Sequence, residues 1–497
     1  MRTDAVHYEN NATRIRREVL IRIAQAWFDG ALVESVDRVP LQMRPRGGPA
    51  TRCCVHKDRA VLKYRIMAAL GMRVEDEEDE LTPLAEYARR ALERQAPDGP
   101  ILTVLDEACS GCVRTHYSVT NACRGCMARP CMLNCPKDAI RMVNGHAEID
   151  EDLCVNCGKC QQVCPYSAIV RVPVPCEEVC PVGAIAKDET GKETIDYDAC
   201  IYCGKCMAAC PFGAVMERSQ AIDVLRVLAG DRPAVALIAP SIVGQFPGEL
   251  AQVVTGLKQL GFDAVDEVAA GAVQTAAEEA AELRERLDHG ETMMTTSCCP
   301  AWVRAVEAHL PEAEPLVSDT PTPMHYAGLR AREEHPDAVT VFIGPCVAKR
   351  HEAMDDPTVD YVLTFEELGA LLVAADVDTD ACPAEEAMQA AGREGRGFAV
   401  SGGVTDAIRA AAGADTVQAE AVDGLDKKAL RRVRKLAKGK GNCNFLEVMS
   451  CEGGCVAGPG ALGNPRLSAR AVGKLVDQSP SGLARGKEPE PAHAGKE

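Results

Sequence analysis

At 497 residues the chain is long enough for about three domains, and 46% hydrophobic content with only 4% aromatics points to helices packed on parallel sheets rather than an all-β sandwich. With 55 basic against 73 acidic residues, the net charge of −18 excludes the basic face of a nucleic-acid binder. No run of about 18 apolar residues predicts a membrane span, and the start Met1-Arg2-Thr3-Asp4 is not an apolar signal segment, so the 25 cysteines read as reduced cytoplasmic thiols that bind metal.

Residues 1–105 read as a mostly helical N-terminal region. Ile15, Val19 and Ile23 recur at helical spacing, and Leu20 and Ala24 widen the stripe. Glu75 to Glu80 is expected on a solvated loop or helix start, and the adjacent Cys53 and Cys54 as ordinary packed thiols.

Residues 106–218 form an iron–sulfur domain, with 16 of the 25 cysteines falling between 106 and 215. Cys-Pro pairs recur at Cys135, Cys164, Cys180 and Cys210, each followed by an Ala-Ile or Ala-Val step, which marks an internal repeat. Cys154-x2-Cys157-x2-Cys160-x3-Cys164-Pro165 has the spacing of a [4Fe–4S] ferredoxin motif, and Cys200-x2-Cys203-x2-Cys206-x3-Cys210-Pro211 repeats it. Cys123-x2-Cys126-x4-Cys131-x3-Cys135-Pro136 is a longer variant. Three thiolates from one loop cap three corners of a cubane, and in two-cluster domains the fourth comes from the other motif. That rule assigns Cys123, Cys126, Cys131 and Cys164 to one cubane. Cys154, Cys157, Cys160 and Cys135 take a second, and Cys200, Cys203, Cys206 and Cys180 a third. Cys109, Cys112, Cys176 and Cys210 are left over as candidates for a fourth, so the count of accessory clusters is three or four. A lone Cys-x2-Cys would equally suit zinc; three repeats ending in Cys-Pro favour iron–sulfur clusters. By itself this segment implies electron transfer and no more.

Residues 219–478 alternate strand-like and helix-like stretches and are expected to form an α/β domain with parallel sheets flanked by helices. Ala234 to Ile238 and Thr340 to Ile343 read as buried strands, with Gly397-Phe398-Ala399-Val400 a third candidate, and Leu250 to Leu260 as a helix. Residues 479–497, rich in Ser, Pro, Gly, Lys and Glu, are expected to be a disordered tail.

Three cysteine motifs lie far apart in this last domain: Thr296-Ser297-Cys298-Cys299-Pro300, Gly344-Pro345-Cys346-Val347-Ala348-Lys349 and Ser450-Cys451-Glu452-Gly453-Gly454-Cys455. They offer thiolates from separate loops to one buried cluster, and Lys349 beside them is a cation that needs an anionic partner. Over roughly residues 105–470 the sequence closely resembles the [FeFe]-hydrogenases, with these motifs similar to the three signatures of that family's catalytic domain.

The resemblance implies an H-cluster, a [4Fe–4S] cubane joined through a thiolate to a diiron unit carrying CO, cyanide and a bridging azadithiolate. It implies Cys299, Cys346, Cys451 and Cys455 as cubane ligands, with Cys455 bridging to the diiron unit and Cys298 as the proton donor. Glu279, Glu282, Arg286 and Ser318 match the family's proton path once a single-residue deletion is allowed before Cys298. Without the resemblance, Glu279 and Glu282 read as a solvated helix face. Pro240, Ser241 and Lys349 match the cyanide-holding positions, Met449 the methionine near the diiron unit, and Glu352 the acidic residue after the lysine. Gly344, Met324, Glu452 and the stretch Ala457-Gly458-Pro459-Gly460 depart from prototypical members and resemble the monomeric subgroup called group B. Implied partners are ferredoxin or a similar low-potential carrier and the hydrogenase maturation proteins. The expected activity is reversible reduction of protons to H2; the rival readings are a hydrogen or redox sensor and a non-catalytic iron–sulfur protein that keeps the fold.

Overall fold

The computed structural model describes residues 10–96, 98–109, 112–439 and 441–483. Among them no helix is long and apolar enough to cross a membrane.

The last domain is built on two parallel sheets. Ala234–Ile238 lies between Ala264–Glu267 and Val339–Gly344, and Tyr361–Thr364 completes this four-stranded sheet. Every residue of Ala234–Ile238 and Val339–Gly344 is buried, as expected of strands covered on both faces. The second sheet runs Met294–Thr295, Phe445–Met449, Ala419–Asp423, also parallel. Strands of one direction end on one side, so Ala239-Pro240-Ser241, Pro345-Cys346, Ser297-Cys298-Cys299 and Ser450-Cys451 all leave from carboxyl ends. That is where open α/β sheets build their sites.

The iron–sulfur region is two ferredoxin-like modules, one inserted in the other. His116–Val119 pairs antiparallel with Ile169–Val172 and closes an inner module that contains the hairpin Ile140–Val143/His146–Ile149. Leu102–Val104 pairs antiparallel with Val215–Glu217 and closes an outer module around it, with its own hairpin Ile185–Lys187/Glu193–Ile195. The inner module has a small separate core of Tyr117, Cys131, Ile140, Ala147, Cys160 and Ile169. The outer module shares a core with the last domain through Ile201, Met207, Trp302 and Val347.

The N-terminal region is helical, with principal helices Asn11–Phe28, Val55–Ala69 and Leu84–Glu93. Its stripe of Val19, Leu20, Ile23 and Ala24 is buried. The first helix lies against Phe365–Ala374 of the last domain and is pinned by Arg16 to Glu366 at 2.6 Å.

Several expectations need correction. Gly397 to Val400 is not a strand: Gly397 ends the helix Arg393–Gly397 and a turn follows, closed by Val400 N–H donating to the Gly397 carbonyl. Cys53 and Cys54 are exposed rather than packed. The acidic run is partly structural, because Glu75 accepts from Thr103 Oγ1 and the Val104 amide and Glu77 pairs with Lys63 at 2.7 Å. Residues 479–483 dock on the domain, with Arg396 donating to Ser479 Oγ at 2.6 Å and Ser481 to Glu394 at 2.8 Å. The rest of the expected tail, 484–497, lies outside the described residues.

Candidate functional site

A cavity at the carboxyl ends of the two sheets gathers Cys298, Cys299, Cys346, Cys451 and Cys455 from three loops. Cys451 feels the charges of Cys346, Cys455 and Cys299, which places the four around one centre. Pro240, Ser241, Lys349, Met324 and Met449 line the same space. Phe342 and Phe398 add apolar wall that sequence reasoning missed.

The wall explains one departure from the family pattern. A Cβ at Gly344 would sit 2.6 Å from the Phe342 ring and 3.2 Å from the Ala239 Cβ. Phe342 and Gly344 are two apart on one strand and share a face. The aromatic ring fills the wall, and only glycine fits beside it.

The lining tests whether an iron cofactor with small anionic ligands fits. Ser241 Oγ and Ser450 Oγ are buried with no hydrogen-bond partner among the described residues. Buried polar atoms without partners are costly unless a ligand satisfies them. Burial pushes the Cys298 and Cys451 thiols well above their ordinary pKa, and Cys455 up to about 12. Iron would remove the ligand protons on binding, while a thiol that binds no metal would stay protonated. The donor set fits the group.

Lys349 does not simply point at the cavity. Its ammonium contacts both Glu352 oxygens at 2.8 and 2.6 Å and Thr322 Oγ1 at 3.3 Å, while Thr322 Oγ1 donates to Glu352 at 2.5 Å. Burial opposes the charge, but Glu352 outweighs it and raises the lysine pKa. Glu352 itself lines a neighbouring cavity with Ser297 and His325 and not the cysteine-lined one. Its place is therefore to hold the ammonium, and Thr322 is a further member that the sequence reading passed over.

The carboxylates come from the helix Val268–Asp288. Glu279 is fully buried and accepts from the Ser297 amide at 3.1 Å and from Ser297 Oγ at 3.3 Å. Its other oxygen, Oε2, has no partner among the described residues. Burial pushes its pKa up to about 8, and the nearby Glu282 charge adds to the rise. Burial also works against Glu282, but Ser318 at 2.5 Å, the Asp319 amide at 3.0 Å, Thr320 at 2.8 Å and Arg286 at 2.7 Å offset it and hold its pKa below the ordinary value. Ser318, which donates to Glu282, also lowers the pKa of Glu279, so it stands between the carboxyls. Glu282 and Arg286 line an open surface cavity, and the charge of Glu279 acts on Cys298. The order from solvent is thus Arg286 and Glu282, Ser318, Glu279, Cys298. Ser297 and Thr320 were not given a role from the sequence, although Ser297 belongs to the first motif.

The ferredoxin-like cysteines act on one another in local sets. Cys131 feels Cys126 and Cys164; Cys160 feels Cys154 and Cys157; Cys206 feels Cys203, Cys200, Cys180 and Cys176. Cys123, Cys135 and Cys164 pack on the inner core. A small cavity brings together Cys109, Cys112, Cys176 and Cys210. Among the described residues no group of three or more His, Cys, Asp or Glu could hold a single metal ion. A cubane asks for something different, thiols that surround a space and bind different irons.

The Cys-Pro repeat also has a structural reason. The alanine amide four residues on donates to the cysteine sulfur at 3.3 to 3.4 Å in all four copies: Ala139 to Cys135, Ala168 to Cys164, Ala184 to Cys180 and Ala214 to Cys210. Such bonds stabilise thiolate charge and tune cluster potential. Cys203 lines the same cysteine-rich cavity, and its neighbour Gly204, at φ 72°, leaves no room for a Cβ against Pro459 at 2.7 Å. The outer module thus abuts the site.

Fold and site together define an iron–sulfur protein with an α/β domain. Residues 147–170 and 193–216 match the 4Fe-4S binding domain. Residues 232–459 match the iron-only hydrogenase large subunit, C-terminal domain, and the chain belongs to the [FeFe]-hydrogenase family. It is 28% identical over 310 residues to iron hydrogenase 1 of Clostridium pasteurianum, covering 50% of this chain and 52% of the relative. It is 30% identical over 373 residues to the NADP-reducing hydrogenase subunit HndD of Solidesulfovibrio fructosivorans, covering 62% of this chain and 56% of the relative. The chain spans little more than half the length of these two relatives. The periplasmic [Fe] hydrogenase large subunit of Nitratidesulfovibrio vulgaris is 28% identical over 365 residues, covering 63% of this chain and 85% of the relative. Among solved structures, a variant of the [FeFe]-hydrogenase HydA1 from Chlamydomonas reinhardtii has a TM-score of 0.44 at 22% identity, covering 51% of this chain and 88% of that chain.

Proposed function

We propose that the chain is a monomeric, group B-like [FeFe]-hydrogenase that catalyses 2H⁺ + 2e⁻ ⇌ H₂. The observation that carries this is one cavity that gathers the five motif cysteines, with Cys203 of the outer module at its wall, and alternating carboxyl and hydroxyl groups between it and solvent. In this reading Cys299, Cys346, Cys451 and Cys455 hold the H-cluster, with Cys455 as the bridging thiolate. The H-cluster would supply the making and breaking of H₂. Pro240, Ser241 and Met449 shape the pocket around it, and Lys349, steadied by Glu352, offers a fixed positive charge to anionic ligands.

Protons reach Cys298 from Glu279, a carboxyl that burial keeps protonated near neutral pH. Glu279 is recharged through Ser318 from Glu282, which stays ionised beside Arg286. Two carboxyls with pKa values pushed apart are suited to successive proton transfers. Electrons arrive through three or four accessory clusters held by the cysteine sets of the two modules, the last beside Cys203. A ferredoxin or similar low-potential carrier would deliver them, maturation proteins would install the diiron unit, and the reducing cytoplasm would keep the thiols free.

Gly344, Met324 and Glu452 support the group B placement. A hydrogen sensor or a non-catalytic iron–sulfur protein would keep the same fold. Infrared spectroscopy of the matured protein tests the choice: CO and cyanide bands with hydrogen evolution are expected. Bands without turnover would favour the sensor, and no bands the non-catalytic protein.

A further inference from the structure

A cavity of ≈ 430 Å³ opens where the helices Asn11–Phe28 and Val55–Ala69 meet the turn Cys210-Pro211-Phe212. Its walls carry three guanidinium groups, Arg44, Arg52 and Arg65, against one carboxylate, Asp58. In a chain of net charge −18, such a local excess of positive charge calls for a reason.

Asp58 does not neutralise the arginines fully. Its two oxygens accept from Thr51 N–H at 2.8 Å and Thr51 Oγ1 at 2.9 Å. Arg44 Nε stands 3.7 Å away and is buried without a hydrogen-bond partner among the described residues. Arg65 is only 3% exposed. Its Nη2 donates to the Phe212 carbonyl at 2.9 Å, and Arg52 Nη2 donates to the same carbonyl at 3.0 Å. Two cations thus share one neutral acceptor. Burial, followed by the charges of Arg52 and Arg16, pulls the Arg65 pKa down to about 10, against a smaller opposing influence of the Cys210 sulfur. Arg16 is already taken by Glu366.

A buried guanidinium is costly without an anion, and arginine forks match tetrahedral oxyanions through paired N–H bonds. Within the cavity three guanidiniums face one occupied carboxylate, a local excess of positive charge. The remaining wall is apolar, with Ile15, Val61, Leu62 and Phe212, and the volume exceeds what one phosphate fills. We propose that Arg44, Arg52 and Arg65 form a binding site for a phosphate group, either free phosphate or the phosphate of a nucleotide. This gives the helical region a ligand-binding task of its own, beside the Cys210 turn.

Isothermal titration of the full, cluster-loaded chain with inorganic phosphate and separately with ADP tests this, at ionic strength fixed with potassium chloride. Saturable one-site binding of at least one of them is expected, weakened about tenfold or more in Arg52→Gln, as for the loss of a charge-assisted hydrogen bond. Arg44→Gln should act in the same direction, and it spares the buried Arg65. Equal affinity for both probes would assign the site to free phosphate, and tighter ADP binding to the nucleotide. No saturable binding of either, or binding unchanged in both variants with iron content intact, would overturn the proposal.

Discussion

Cys298 and Cys299 are neighbours in sequence but have separate tasks in the proposed reading. Cys298 lies within reach of the Glu279 charge, and burial keeps its thiol protonated, which suits a donor. Cys298→Ala should abolish most hydrogen evolution while leaving iron and infrared bands in place; undiminished evolution would contradict the shuttle role. Glu279 gives a pH prediction. Its folded pKa is raised from 4.5 to about 8, so between those values the folded chain keeps a proton that the unfolded chain releases. Folding stability from this group is fully present below pH 4.5, falls as pH rises towards 8 and is flat above. The slope is up to about 1.4 kcal/mol per pH unit. Glu279→Gln should flatten it, read as urea midpoints at pH 5, 6.5 and 8, and should also depress turnover. Identical slopes in the two proteins would show that Glu279 is not held protonated. At this scale the sequence was partly legible. The i, i+3 spacing of Glu279 and Glu282 places both on one helix face, but only the fold shows that Ser297 and Ser318 turn that face inward.

The helix Val268–Asp288 must lie close to its neighbour for this path to exist. A Cβ at Gly271 would meet the carbonyl of Pro323 and, at 3.0 Å, the amide of Ala327 on the helix Pro323–Glu334. Gly271→Ala should therefore lower stability by about 1–3 kcal/mol through overpacking. Hydrogen evolution should fall with it, because the same helix carries Glu279; an unchanged melting temperature would argue against the close approach. A second device at this scale is a buried ion cluster. Arg350, with no exposure, pairs with Glu217 at 2.9 Å and with Glu367. Glu217 ends the outer module's closing strand, so Arg350 ties that module to the α/β domain. Removing one partner of a buried pair leaves the others uncompensated, and Arg350→Met should cost about 3–5 kcal/mol, seen as a lower unfolding midpoint. The two buried strands and the helix Leu250–Leu260 were readable from apolar runs and helical spacing. The Gly397 segment was not, because four small and apolar residues look alike in a buried strand and a buried turn.

For the whole molecule, the nested modules explain an oddity of the cysteine pattern. Cys109-x2-Cys112 and Cys176-x3-Cys180 are the two halves of one motif, split by the inner module that His116–Val119 and Ile169–Val172 close. If these thiols hold a cluster, Cys176→Ser should lower the iron content of the full chain by up to about four atoms per molecule, with the other clusters unchanged. An unchanged iron count and an unchanged paramagnetic resonance spectrum would mean that the cavity is only packing. By itself the sequence determined the ferredoxin spacings, the alternation of an α/β domain and three loops bearing cysteine, because ligand spacing and hydrophobic period are local properties. Only the tertiary structure decided that Cys109 and Cys112 meet Cys176 and Cys210, that Glu352 holds Lys349 in place, and that the outer module meets the site at Cys203. The first and last of these join residues far apart in the chain, through strand pairing and burial that no local pattern encodes; Lys349 and Glu352 are three apart on one helix, and the fold adds Thr322 from another loop to fix them.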